Sequence, residues 1–124
     1  MKQTRILLVD DEEELVHTLV ERLRFRGLDA EGVTTGREAL ERLVNSQFDV
    51  VVADLKMPSV DGRLIEQIVQ ERHPGTRVLL MTGHGAQEDE VAAGTDYLLK
   101  PFSIDELISR IVDTDPESRQ ADAE

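Results

Sequence analysis

A doubly wound α/β fold on a five-stranded parallel sheet is predicted by three features of this chain. Short, continuously apolar runs recur along it, segments of helical apolar period alternate with them, and the connections are brief. Continuous apolar runs suit parallel strands covered on both faces, and the alternation reads as a βα unit repeated five times. Right-handed crossovers leave few arrangements, of which strand order 2-1-3-4-5 is the commonest.

Each element follows from local pattern. Ile6-Leu7-Leu8-Val9 is the first strand, and the first helix carries Leu15, Val16, Leu19, Val20 and Leu23 on one stripe, with Gly27 as its stop. Leu28 to Val33 interleaves polar residues, which places the second strand at an edge. Thr35 with Glu38 fits a capping box opening the second helix, whose stripe is Ala39, Leu40, Leu43 and Val44. Val50-Val51-Val52-Ala53 is the third strand; Asp61-Gly62 precedes a helix bearing Leu64, Ile65, Ile68 and Val69, and His73-Pro74-Gly75 ends it. Val78-Leu79-Leu80-Met81 is the fourth strand and Asp96-Tyr97-Leu98-Leu99 a short fifth. Ser103 with Glu106 fits a second capping box ahead of Ile104, Leu107, Ile108, Ile111 and Val112. The stretch between Thr82 and Lys100 is only 17 residues long, and residues 83–94 hold three glycines and one large apolar side chain. A fourth helix there is therefore expected to be shortened or irregular. The reading is one domain over residues 1–112, then a polar tail, 113–124, without apolar period.

Composition bounds the function. The chain has 124 residues, of which 40% are hydrophobic but only 3% aromatic, so the core must be mostly aliphatic. It has no cysteine, which removes disulfides and thiolate metal sites. The longest apolar run near the start is too short for a signal-peptide core or a membrane span, so a soluble cytoplasmic protein is expected. A net charge of −12 repels phosphate backbones and anionic lipid, which argues against nucleic-acid or membrane partners.

The chemistry gathers where the strands end. Asp10 and Asp11 follow the first strand, Asp54 the third, Thr82 the fourth and Lys100 the fifth. In the order 2-1-3-4-5 these positions share the carboxyl edge of the sheet, where open α/β folds bind ligands. Clustered carboxylates repel one another, so they either raise a pKa or hold a cation. Oxygen donors without imidazole or thiolate favour Mg²⁺ or a similar hard ion such as Mn²⁺. A carboxylate can also accept a phosphoryl group, and Asp54, alone at its strand end, is the best nucleophile. Taken singly, each residue has an ordinary explanation. Asp10 or Asp11 serves as a helix N-cap, Thr82 as a strand end, Lys100 as a surface lysine and Tyr97 as a half-buried core aromatic. Together they point to phosphoryl chemistry.

Leu8-Val9-Asp10-Asp11-Glu12, Asp54-Leu55-Lys56-Met57-Pro58 with Asp61-Gly62, Met81-Thr82-Gly83 and Asp96-Tyr97-Leu98-Leu99-Lys100-Pro101-Phe102 occur in order and at matching spacing. On these motifs the chain resembles, over nearly its whole length, the receiver domain of two-component response regulators, a chemotaxis-regulator-like, flavodoxin-like fold. The resemblance implies that Asp54 is the phospho-acceptor, supplied by a sensor histidine kinase or a histidine phosphotransfer protein. It implies that Asp11 and the backbone carbonyl of Met57 coordinate Mg²⁺ beside Asp54, with Asp10 helping through water. Thr82 and Lys100 would contact phosphoryl oxygens, across a cis Lys100-Pro101 peptide, and Tyr97 would be an aromatic switch that turns inward. The resemblance also implies that Lys56 and His84 border the phosphoryl site at positions that influence the lifetime of the acyl phosphate, although on the residues alone both read as exposed-loop side chains with no special role. The output would be altered binding to an unidentified downstream protein, with a homodimer among the options, and the domain would accept a phosphoryl group on itself without turning over a separate substrate. Against the family pattern, the 83–99 segment is about four residues short, roughly one helical turn. That suggests a rival role as a degenerate receiver, a constitutive interaction module. An aspartate phosphohydrolase of another α/β family would need an acid at position 56, where this chain has Lys56. No nucleotide-binding glycine motif is present.

Overall fold

The computed structural model describes residues 3–58, 60, 62–83 and 96–113. In chain order the elements are β1 Arg5–Val9, α1 Glu13–Phe25, β2 Asp29–Val33, α2 Gly36–Asn45, β3 Val50–Asp54, α3 Gly62–Arg72, β4 Arg77–Thr82, β5 Asp96–Leu99 and α4 Ile104–Asp113. The strands form one parallel sheet in the order β2-β1-β3-β4-β5. This is the expected topology, with β2 at an edge.

Alternation along the inner strands divides the core in two. Ile6, Leu8, Val50, Val52, Leu79, Met81 and Leu98 pack against Val16, Leu19, Val20 and Leu23 of α1 and Leu107 and Ile111 of α4. Leu7, Val9, Val51, Ala53 and Leu80 face the other way, onto Ala39 and Leu43 of α2 and Ile65 and Val69 of α3. Two helices thus cover each face, which is why the strands read as unbroken apolar runs. The helix stripes are narrower than their sequence period suggests, because Val44 is 79% and Leu64 41% exposed. Burial follows one line along each helix, Gly36, Ala39 and Leu43 in α2 and Gly62, Ile65 and Val69 in α3, and Val44 and Leu64 lie beside that line.

Local signals act as read. Thr35 Oγ1 accepts the Glu38 N–H at 3.1 Å, and Ser103 and Glu106 exchange both bonds of a capping box. Gly27 has φ +88°, and the Leu28 N–H donates to Leu23 O while the Gly27 N–H donates to Arg24 O, a Schellman closure of α1. Helix α4 runs to Asp113, one residue into the stretch expected to be tail. Asp61, residues 84–94 of the 83–94 segment expected to form an irregular fourth helix, His84 among them, and tail residues 114–124 lie outside the described residues. No helix among the described residues is long and apolar enough to cross a membrane.

Candidate functional site

Sheet register assembles the site. Val9 pairs with Ala53, so Asp10 and Asp54 leave neighbouring strands one step later. Asp54 pairs with Met81, which puts Thr82 one residue beyond it, and Thr82 pairs with Leu99, which puts Lys100 next. The Lys100 N–H donates to Thr82 O at 2.7 Å, extending the β4–β5 ladder to the site, and the Lys100-Pro101 peptide is cis.

The Lys100 ammonium ties the carboxylates together. Its Nζ donates to Asp10 Oδ2 at 2.6 Å and Asp54 Oδ2 at 3.3 Å, and Glu12 Oε1 lies 3.6 Å away. Asp10 has no exposed surface and Asp54 is 9% exposed, so these charges depend on protein partners. The Glu12 N–H donates to Asp10 Oδ1 at 2.9 Å and the Lys56 N–H to Asp54 Oδ1 at 3.2 Å. Each buried carboxylate therefore has one oxygen on a backbone amide and the other on Lys100. The capping explanation of this pair fails, since the N-cap of α1 is Glu12 and its side chain makes no capping bond.

Burial raises the Asp54 pKa above the usual carboxylate range; the Lys100 charge opposes that shift and the Asp10 charge adds to it. For Lys100, burial pulls the pKa down, but the hydrogen bond and charge of Asp10, with those of Asp54, outweigh it and leave it raised. The cluster thus holds more negative charge than one ammonium neutralises. Carboxylate oxygens of Asp10, Asp11 and Asp54 lie within 4.8 Å of one another, with Asp11 exposed at the rim. An all-oxygen donor set, an excess of negative charge and an open side fit a hard divalent cation such as Mg²⁺.

Thr82 is 2% exposed, and its Oγ1 has no hydrogen-bond partner among the described residues. Tyr97 is 42% exposed, because β5 turns Leu98 toward the core and Tyr97 and Leu99 away from it. Met57 packs at the margin of the α2–α3 core, and Lys56 is exposed. The structure therefore joins Asp10, Asp54 and Lys100 by direct contacts, brings an Asp11 oxygen within 4.8 Å of the other two acids, sets Thr82 beside them by register, and leaves the Tyr97 ring outside.

Sequence reasoning missed Glu12, the Lys56 amide and two close approaches. A Cβ on Gly62 would lie 2.5 Å from Asp54 O, so α3 can start against the end of β3 only because position 62 has no side chain. A Cβ on Gly36 would lie 2.3 Å from Val60 Cβ. Gly62 was legible as a helix-start signal, but neither contact has a local sequence signature.

An open parallel sheet with clustered acids and a lysine at its carboxyl edge defines a class of α/β domain whose site lies at the strand ends. Comparison makes this specific: the response regulator receiver domain profile matches residues 6–112, and the chain belongs to that family. Transcriptional regulatory protein TcrA of Mycobacterium tuberculosis is 34% identical over 111 residues, covering 86% of this chain. The match spans 44% of TcrA, so this chain accounts for under half of that relative. Among solved structures, the receiver domain of the Francisella response regulator 1452 matches with TM-score 0.79 and 31% identity over 89% of this chain and 94% of that one. A CheY-like receiver domain protein from Methanospirillum hungatei JF-1 matches with TM-score 0.83 and 28% identity, over 97% and 99%.

Proposed function

We propose that the domain is a phosphorylation-controlled switch of a two-component phosphorelay, with Asp54 as phospho-acceptor. The observation that carries this reading is Lys100 Nζ set between the carboxylates of Asp10 and Asp54 at 2.6 and 3.3 Å. The donor is a phosphohistidine on a sensor histidine kinase or histidine phosphotransfer protein. An Asp54 oxygen attacks phosphorus, the O–P bond forms, the N–P bond breaks, and the departing imidazole takes up a proton.

Positioning and charge balance do most of this work. The Lys56 N–H fixes Asp54 Oδ1, which orients the carboxylate. Lys100 is close enough to exchange a carboxylate contact for a phosphoryl oxygen. Thr82 donates to another such oxygen; a buried hydroxyl without a partner costs about 1–3 kcal/mol, and the phosphoryl group removes that cost. Asp10, Asp11, Asp54 and the Met57 carbonyl would hold Mg²⁺ or Mn²⁺, which when bound supplies positive charge toward the phosphoryl oxygens. Tyr97 starts from an exposed position and turns inward as Thr82 moves, biasing a two-state equilibrium.

The product is an altered binding surface in the cytoplasm, read by a downstream protein or a second copy of the chain. No separate substrate is turned over. The net charge of −12 favours protein over nucleic acid as the direct partner of this domain. The curated relative TcrA is a transcriptional regulatory protein, and the match covers 44% of its length. A constitutive, phosphorylation-independent module is the rival, but it does not account for a buried ammonium bridging two carboxylates. Incubation with Mg²⁺ and a small phosphodonor should add one phosphoryl mass to the wild-type chain and none to Asp54→Asn. Equal labelling of both would overturn the Asp54 assignment.

A further inference from the structure

The loop after β3 carries Met57, and its two ends are pinned by backbone bonds. The Leu55 N–H donates to Met81 O at 2.8 Å and the Gly62 N–H to Leu55 O at 3.1 Å. Between these pins the Val60 N–H donates to Pro58 O at 2.8 Å, and Val60 sits on the first residue of α2. At Gly36 an added Cβ would lie 2.3 Å from Val60 Cβ, 2.6 Å from Val60 Cγ1 and 2.7 Å from Val60 O. The obstacle includes backbone, so a side chain at position 36 must displace the loop itself. Asp11, Gly36, Met57 and Val60 line one groove of about 790 Å³, so the contact adjoins the metal-side residues.

From this geometry we infer that Gly36 is a positioning residue for the cation site. By offering a side-chain-free seat to Val60, it sets the height of the loop and hence the placement of the Met57 carbonyl. This rests on the metal reading above. Helix propensity does not explain a glycine here, because Ala is the better residue for the start of a helix. Nor does backbone conformation, since Gly27 is the only described glycine with positive φ. The remaining reason for glycine is the approach of Val60.

Mg²⁺ titration of the folded protein, followed by amide chemical shifts of Asp11 and Met57, tests the inference without using phosphorylation. Gly36→Ala should weaken Mg²⁺ binding about tenfold, the low end of what outer positioning groups contribute to metal affinity. Gly75→Ala, where the added Cβ meets nothing within 4 Å, should leave it unchanged and serves as the control. In the double variant Gly36→Ala/Val60→Gly the side-chain obstacle is gone, so its loss should be smaller than the sum of the two single losses. Wild-type Mg²⁺ affinity in a folded Gly36→Ala protein would overturn the positioning role while leaving the metal reading intact. Absence of Mg²⁺ binding in the wild-type chain would overturn both.

Discussion

Asp10 has no contact with solvent, and Lys100 supplies the cation that its Oδ2 faces at 2.6 Å. Removing that cation strands a buried carboxylate, so Lys100→Met should destabilise the metal-free protein by about 1–3 kcal/mol in denaturant titrations, below the value for a fully dry pair. Lys100 has a raised pKa in the folded chain. Its contribution is therefore fully present below the unfolded lysine pKa and is lost as pH rises through the folded one. Asp54 acts in the same direction in a lower pH window: burial raises its pKa, the folded state binds the proton more tightly, and stability falls as pH rises through the window above 3.8. Asp54→Asn should thus raise the melting temperature of the metal-free protein at neutral pH, with the difference shrinking toward pH 4. Asp10, Asp54, Thr82 and Lys100 were legible because strand-end residues in a parallel sheet have nowhere else to go. Glu12 and the Lys56 amide were not, because they act from loop geometry that no periodicity encodes.

Among the elements, β2 and α1 show how closely the layers meet. A Cβ at Gly32 would lie 2.4 Å from Val16 Cγ1 and 2.8 Å from Val20 Cγ2, so the glycine that weakens β2 as a strand allows α1 to sit down on it. Gly32→Ala should cost about 1–3 kcal/mol by overpacking, and Val16→Ala in the same chain should recover part of the loss in thermal melts. An additive double variant would mean that the glycine serves some other end. The capping boxes at Thr35 and Ser103 and the Gly27 stop were readable because each depends on residues a few positions apart. The outward turn of Val44 was not, since an apolar residue one step round the helix from the buried line reads as part of the stripe whether or not anything covers it. The same holds for Tyr97 and Leu99, which strand alternation assigns to one face without saying whether anything covers it.

For the whole molecule, the sheet order is what turns five scattered residues into one site, and it was accessible because βα alternation and crossover handedness leave few arrangements, of which this order is the commonest. The excess negative charge at the sheet edge means that a divalent cation should stabilise the fold as well as support the chemistry. With Mg²⁺ at about a hundredfold its dissociation constant the gain should be about 2.7 kcal/mol, and Asp11→Asn, which removes an exposed carboxylate from the cluster, should lose most of it. A melting temperature that ignores Mg²⁺ in the wild-type chain would contradict the cation site. The central claim is that this edge accepts a phosphoryl group at Asp54, and borohydride trapping tests it most directly, because it reduces an aspartyl phosphate to homoserine. After phosphodonor treatment with Mg²⁺, tandem mass spectrometry should find homoserine at position 54 alone; homoserine at position 10 or 11 instead, or none at all, would contradict the account.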